Sequence, residues 1–468
     1  MLKIGGRIQE ERINGKRNAV RWILNVMLVI ASLFISIRLS AAAEFTDIKD
    51  LDTRLARSAN LGDLISYAYQ ENPSVREVRE AWQAVVESYR VVTGYPDPEL
   101  SMTYFPEPIE TRLGPQDWNA SISQRIPFPG KLSKAGEVVE AEARIARLKM
   151  DQTIRDIIVS IRESFFELQY IRKAREVAGQ NLKLIDHLRK VAETSFAQDR
   201  STLLDMVKSQ SQVGQLRYDI ILLEDLEKTE TAMLNGLLNR HPDALIGILQ
   251  AGPISPVVFS IDEIYDLAET NQEEIKMAAV RIEQAEKQIE LAQYENMPDF
   301  KIGLFYAGIG EPDVSKPPPD AGRDAFGIQA GVTLPLWFGK NKGYIARAKA
   351  ETKKREAGKI ARINDSRTQI RSLYFRLENA NRLMMLYRND LLPQAAKAME
   401  IAETWFLEGA SSFSDFIETQ SVWYNFQLAL ARAQTDYDKY LARLERLVGR
   451  SVTQRKDPSA KIIEKETR

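Results

Sequence analysis

The sequence predicts an α+β protein built as a tandem repeat, with short strand pairs set among helices of unusual length. Three observations carry this. First, Ala192-Glu193-Thr194-Ser195-Phe196, followed by Leu203-Leu204-Asp205, returns as Ala402-Glu403-Thr404-Trp405-Phe406, followed by Phe413-Ser414-Asp415, at a constant spacing of 210 residues. Second, apolar residues recur every seventh position before the second turn, at Ile363, Ile370, Leu377, Met384 and Leu391. Such a repeat packs helix on helix in coiled-coil fashion. Third, two stretches per half switch to a period of two, the signature of strands.

Composition supports long helices. Of 468 residues 28% are charged, with only 24 Gly and 19 Pro to make turns. The 64 Lys and Arg against 65 Asp and Glu leave a net charge of -1, so no global field recruits nucleic acid. There is no Cys, and the two His, His187 and His241, lie far apart and read as surface residues. Thiolate catalysis, disulfides and Cys/His zinc sites are excluded, and no cofactor or metal is expected.

In chain order, basic residues (Arg12, Lys16, Arg17, Arg21) precede an apolar run from Trp22 to Ile37, then Ala41-Ala42-Ala43. That order is expected of a signal peptide over residues 1–43, cleaved before Glu44, with an uncleaved membrane anchor as the alternative. The run of 16 residues is shorter than the ~20 of a spanning helix. Nothing later approaches that length, so a mature chain that enters a membrane must do so as strands.

The first repeat covers 44–240 and opens with a helix from Leu61-x-x-Leu64-Ile65-x-x-Ala68 to about residue 94. The second covers 261–449 and opens with Ile261-x-x-Ile264-Tyr265-x-x-Ala268, running to about Tyr294. Both helices stop at a matched signal, Tyr95-Pro96-Asp97 or Met297-Pro298-Asp299, because proline cannot continue a helix.

Strand pairs follow at 99–126 and 299–335. Leu100, Met102 and Tyr104 share one face, as do Trp118, Ala120, Ile122 and Ile126. In the second pair the apolar sets are Phe300, Ile302, Leu304 and Tyr306, then Phe326, Ile328, Ala330, Val332 and Leu334. The connections, Phe105-Pro106-Glu107-Pro108 through Gln116 and Glu311 through Arg323, are rich in proline and polar groups. At roughly ten residues each the strands have the length of membrane-barrel strands, although a soluble hairpin packed on helices alternates in the same way. Lipid would cover the apolar faces; no other segment is obvious. Four strands cannot close a barrel, which needs about eight, so spanning strands require several chains to share one.

Each pair ends in a matched exit, Ile126-Pro127-Phe128-Pro129-Gly130-Lys131 or Leu334-Pro335-Leu336-Trp337-Phe338-Gly339-Lys340. Long helices follow, at 131–198 and 340–408. The first spans 68 residues, about 100 Å as one helix. Shorter helices, 201–240 and 411–449, return from the turns. Each returning helix and the helix that opens its repeat add up to nearly the length of the long one, so stacked end to end they can flank it. A linker occupies 241–260, and a polar tail 450–468.

In this order and spacing, the duplication, the strand pairs, the Pro-Phe-Pro-Gly-Lys and Pro-Leu-Trp-Phe-Gly-Lys exits, and the turn Phe406-x-x-Gly409-x-x-x-Phe413-x-Asp415-x-x-Glu418 resemble the TolC-like outer-membrane efflux proteins. The first exit looks most like the heavy-metal exporter branch. The resemblance covers nearly the whole mature chain and implies a homotrimer. Each chain would give four strands to a twelve-stranded outer-membrane barrel in lipid, continued by a coiled-coil tunnel through the periplasm. The turns would dock on a periplasmic adaptor joined to an inner-membrane pump, which supplies the energy.

Asp415 and Glu418 stand three apart after the second turn, on one helix face. In a trimer they become carboxylate rings at the positions that line the family's periplasmic aperture, and would select cations. Asp205 is the equivalent in the first half, with Lys208 in the place of Glu418. Asp205 and Asp415 could equally serve only the helix dipole, at ~0.3–1 kcal/mol. Adaptor docking is expected at Gln198, Asp199, Arg200 and Ser201, with Glu408, Gly409, Ala410 and Ser411. The gate departs from the family's pattern, with Ser411 and Phe406 where an arginine and a tyrosine are usual and Asp199 where glycine is usual.

The chain is thus expected to be a passive, non-enzymatic exit duct of a tripartite efflux system. The alternatives are the outer-membrane duct of a type I protein secretion system and, from another class, a periplasmic coiled-coil scaffold that never enters lipid.

Overall fold

A computed structural model describes residues 48–198, 203–250 and 252–453. The chain forms two compact units, Met1–Arg54 and Leu55–Arg468. Of the first, only the opening of helix α1 (Ile48–Arg57) is described. The expected signal peptide, 1–43, lies outside the described residues.

The second unit continues with β1 (Ser58–Asn60), α2 (Leu61–Glu71), α3 (Pro73–Thr93), β2 (Glu99–Thr111), β3 (Gly114–Ile126), α4 (Lys131–Ala197) and α5 (Leu203–Leu237). After β4 (Ile248–Gln250), the second repeat runs α6 (Ile261–Asn271), α7 (Glu273–Tyr294), β5 (Phe300–Ile309), β6 (Ala325–Val332), α8 (Phe338–Leu386), a π turn (Tyr387–Leu391), α9 (Leu392–Leu407) and α10 (Phe413–Val448).

The opening helix of each repeat is two helices rather than one. At the first junction Asn72 is extended and its side chain accepts hydrogen bonds from the backbone N–H of Ser74 (2.8 Å) and Val75 (3.3 Å), while Pro73 takes the first helical position. Asn72 Nδ2 also donates to the Leu237 carbonyl at 2.7 Å, joining the end of α5 to the start of α3. Stacked in this way, α3 and α5 flank successive lengths of α4. In the second repeat the junction falls at Gln272, whose Oε1 accepts from Ser366 Oγ at 2.6 Å.

Gly449 closes α10 at φ 78°, and a Cβ there would lie 2.6 Å from the Asn271 carbonyl oxygen. Gly449→Ala is therefore expected to cost upwards of about 1 kcal/mol, the left-handed penalty plus a clash with backbone. A lowered thermal midpoint with unchanged helix content would show it.

α4 is one helix of 67 residues. Its counterpart is interrupted, which corrects the expectation of a single helix over 340–408. The repeat explains why: Ile154, Ile161 and Leu168 match Ile363, Ile370 and Leu377 at a spacing of 209, whereas the turns match at 210. The second copy carries one extra residue between Leu377 and Ala402, and the π turn absorbs it, with Leu392 N–H bonding to the Tyr387 carbonyl. Pro393 follows at once and has no N–H to give.

The two strand pairs join through β3 and β5 into one antiparallel sheet of order β2-β3-β5-β6. Leu100 stands opposite Ile122, Ile122 opposite Leu304, and Leu304 opposite Ile328. The first pair keeps the expected bounds, but its strands are longer than expected: apart from a turn at Arg112-Leu113, closed by Gly114 (φ 135°), the Pro-rich stretch from Phe105 to Gln116 is strand. Pro106 and Pro108 are tolerated because they fall in the register shift between Tyr104 and Ile109, where β2 is not paired with β3.

The linker is also more structured than its sequence suggests. β4 pairs in parallel with β1, and Arg172 on α4 donates to the carbonyls of Gly247 (2.6 Å) and Ile246 (2.8 Å). Of the polar tail, Val452 is fully buried among Ile264, Leu441 and Val448; residues 454–468 are not described. α4 packs against α3, α5, α7 and α10, and α8 against α7 and α10. Among the described residues no interface joins α3 to α8.

Candidate functional site

Two regions concentrate the features a duct needs, the helical tips and the sheet. At the second tip α9 ends in a Schellman turn. The Gly409 N–H bonds to the Phe406 carbonyl (3.1 Å), the Ala410 N–H to the Trp405 carbonyl (2.8 Å), and Gly409 takes φ 74°. Phe406 then lies against Phe413 and Phe416, with ring centroids 5.5 and 5.9 Å away. Phe413 and Phe416 are fully buried with Ile185, Leu188, Val213, Leu216 and Met399, so one apolar core ties α4, α5, α9 and α10 together. Phe406, at an expected gate position, is thus a packing residue of its own chain. Ser411 at the other has a buried hydroxyl without a hydrogen-bond partner among the described residues.

α10 starts in a capping box. Ser412 Oγ accepts from the Asp415 N–H (3.2 Å), and Asp415 Oδ2 accepts from the Ser412 N–H (3.1 Å) and hydroxyl (2.7 Å). These bonds, the hydroxyl's first, hold the Asp415 carboxyl below its usual pKa, and nearby Lys208 adds to the effect. Asp415 is exposed and ionised, and Glu418 is exposed on the next turn. Lys208 Nζ reaches Ser414 Oγ at 2.7 Å, setting the first turns of α5 and α10 side by side. Asp205, by contrast, is only 8% exposed, so the single chain points it inward.

Of the expected docking residues, Gln198, Glu408, Gly409 and Ala410 are exposed and Ser411 half-buried; Asp199, Arg200 and Ser201 lie outside the described residues. The sequence reading passed over the apolar side chains around them. Leu203 (56% exposed), Leu204 (59%), Trp405 (55%) and Leu407 (51%) stand uncovered within a turn of the tips. Their signal was large apolar residues beside a polar loop in both repeats.

On the sheet, register places Leu100, Met102, Tyr104, Trp118, Ile122, Ile302, Leu304, Tyr306, Phe326 and Ile328 on one continuous face. Among the described residues no element covers it: Leu100 is 75% exposed and Ile328 78%. The opposite face carries Ser101, Thr103, Asn119, Ser121 and Gln329, with Phe305 among them. Tyr104, Trp118, Tyr306 and Phe326 form an aromatic row across all four strands, with Trp118 and Tyr306 5.5 Å apart. Trp337 is separate, at the exit.

Below the sheet the two repeats are locked by a residue that the sequence marked only as part of a stop signal. Asp299, 4% exposed, accepts from Arg125 Nε (3.1 Å) and Nη2 (2.5 Å), the Phe128 N–H (3.1 Å) and Lys131 Nζ (3.2 Å). Burial alone would raise its pKa, but these bonds outweigh it and hold the carboxyl below the ordinary range. The second repeat's stop signal thereby fixes the first repeat's exit.

Among the described residues no group of His, Cys, Asp and Glu could hold a metal ion, and no helix is long and apolar enough to cross a membrane.

Comparison with known proteins agrees with this architecture. Residues 264–450 match the family profile "outer membrane efflux protein". The outer membrane protein VceC of Vibrio cholerae has the same fold, with a TM-score of 0.67 at 18% identity over 84% of this chain and 96% of its own. A membrane protein from Pseudomonas aeruginosa gives 0.70 at 14% identity over 87% and 94%. The open-state MtrE outer membrane channel of Neisseria gonorrhoeae gives 0.66 at 15% over 84% and 90%. No curated protein matches the chain. The resemblance read from the sequence stands, without singling out the heavy-metal branch.

Proposed function

We propose that this chain is an outer membrane efflux protein, the passive exit duct of a tripartite pump. Three copies would close a twelve-stranded barrel in the outer membrane and continue it as a helical tunnel into the periplasm. The observation that carries this reading is the sheet: four strands in register, one uncovered apolar face, and two free edges. A periplasmic scaffold would leave that face in water, whereas lipid covers it and neighbouring copies satisfy the edges. The long helix α4, at about 100 Å, supplies the tunnel. The fold contains no feature that favours a protein-secretion duct over an efflux duct.

At the tips, Asp415 and Glu418 would face the tunnel axis as rings of three carboxylates. The capping box does not compete with this role, because it keeps Asp415 ionised and fixed at the start of α10. Adaptor docking falls on Gln198, Asp199, Arg200 and Ser201 with Glu408, Gly409, Ala410 and Ser411, widened to the apolar rim of Leu203, Leu204, Trp405 and Leu407. An adaptor would cover that rim and gain the burial. The inner-membrane transporter supplies the energy.

Asp415→Asn with Glu418→Gln tests the aperture. The double variant is expected to lose most of its cation preference, read from reversal potentials, while still running as a heat-modifiable trimer. Unchanged selectivity would remove both residues from the aperture.

A further inference from the structure

We propose that Asp97 of the next copy seats in the second exit of this chain, against Lys340, as Asp299 seats in the first, and that this latch sets the strand register between copies. The inference rests on the ring of copies proposed above and adds its contact geometry.

The repeat supplies the argument. Asp299 stands 202 positions after Asp97, and the same offset carries Leu100, Met102 and Tyr104 onto Ile302, Leu304 and Tyr306. The returning strands match at 208, with Ile122, Ala120 and Trp118 corresponding to Ala330, Ile328 and Phe326. Both hairpins obey this numbering: Leu100 pairs with Ile122 as Ile302 pairs with Ala330, and Tyr104 with Trp118 as Tyr306 with Phe326. Within the chain β3 pairs with β5, Ile122 opposite Leu304 and Gln124 opposite Ile302. Carried around the ring, β6 pairs with β2 of the next copy, Ala330 opposite its Met102 and Val332 opposite its Leu100. Every such pair sets apolar face against apolar face, and the edge strands are those the single chain leaves unpaired.

The latch has a donor waiting and a carboxylate to spare. Lys340 corresponds to Lys131 at an offset of 209. Lys131 bonds to Asp299, whereas Lys340 is exposed and, among the described residues, lies only over the Tyr344 ring, 5.6 Å from its centroid. Asp97 is exposed and, among the described residues, has no hydrogen bond or ion pair. The second exit is open where the first is partly covered. At the start of α8, Leu336, Trp337 and Phe338 are 63%, 76% and 71% exposed, whereas Phe128 in the first exit is half-buried. The helices repeat the pattern: α4 is flanked by both α3 and α7, whereas α8 has α7 on one side and lacks an α3. The next copy's α3, which ends just before Asp97, is the element that fits there.

Because the chain has no Cys, paired cysteines report the register directly. Met102→Cys with Ala330→Cys should give covalent trimers on mild oxidation. Met102→Cys with Gln329→Cys, one residue off and on the opposite face, should not. For the latch, Asp97→Lys should lower the temperature at which the trimer falls apart in detergent by about 5 °C. Adding Lys340→Asp to the same chain should restore it. Trimers that link better at Gln329, Ile328 or Val332 than at Ala330 would overturn the register, and failure of the charge swap to rescue would overturn the latch. A wild-type chain that is monomeric in detergent and in lipid would instead defeat the ring itself.

Discussion

Asp299→Ala is expected to lower stability by about 3 kcal/mol, because it leaves the Phe128 N–H without its acceptor and the largely buried Lys131 with only a longer contact, at 3.7 Å, to the exposed Glu295. The removal of one member of a buried charge pair costs ~3–5 kcal/mol. Arg125 is 60% exposed and can turn to water, which places the effect at the low end. Denaturant unfolding should show the loss. The pH dependence identifies the cause. Asp299 has a lowered folded pKa, so its contribution is complete above the ordinary carboxylate range of about 4 and disappears as pH falls through the depressed value. The gap between wild type and Asp299→Asn should therefore be widest near neutrality and close in acid. A gap that stays constant with pH would mean that packing, and not the carboxylate, holds the junction.

Phe416→Ala, or Phe413→Ala, is expected to cost ~3–5 kcal/mol locally, since each ring is completely buried and little else could collapse into the space. Both rings sit where α9 turns into α10, against Phe406 and the ends of α4 and α5. The loss should appear as faster amide exchange through α9 and the first turns of α10, with the sheet unaffected. In a channel the same change should widen or destabilise the mouth, read as larger and noisier single-channel currents. Phe416→Leu, which keeps most of the volume, should lie close to wild type.

How much of this was legible depends on the range of the interaction involved. The centres of the strands were legible because a period of two is local, and Leu100-x-Met102-x-Tyr104 repeats it without interruption; their ends were not, since β2 and β3 run into the stretch read as a connection and β6 stops before Leu334. The Ser412-x-x-Asp415 spacing is likewise a local capping signal. The break at Asn72-Pro73 was equally readable, since asparagine caps and proline opens helices, yet Leu61-x-x-Leu64 and the residues beyond Val75 keep one apolar phase that masks it. The π turn was not locatable. Matching Leu168 to Leu377 and Ala192 to Ala402 reveals one inserted residue, but nothing in the sequence says which turn absorbs it. Extension of β2 through Pro106 and Pro108 contradicts the usual meaning of proline, and the register shift between Tyr104 and Ile109 permits it. The Asp299 cluster needed the fold outright, because Arg125 and Asp299 are 174 residues apart. Among the candidate residues, Asp415 and Glu418 come to the surface of one tip, and Asp205 turns inward.

The central claim is that this chain conducts across a membrane through a barrel made by several copies, with a carboxylate-lined mouth. Single-channel recording of the purified mature chain in a planar bilayer, with and without trivalent cations, tests it most directly. Small, cation-selective currents that trivalent cations block are expected. Folded trimers that insert into the bilayer and pass no current, even after Asp415→Asn and Glu418→Gln, would contradict it.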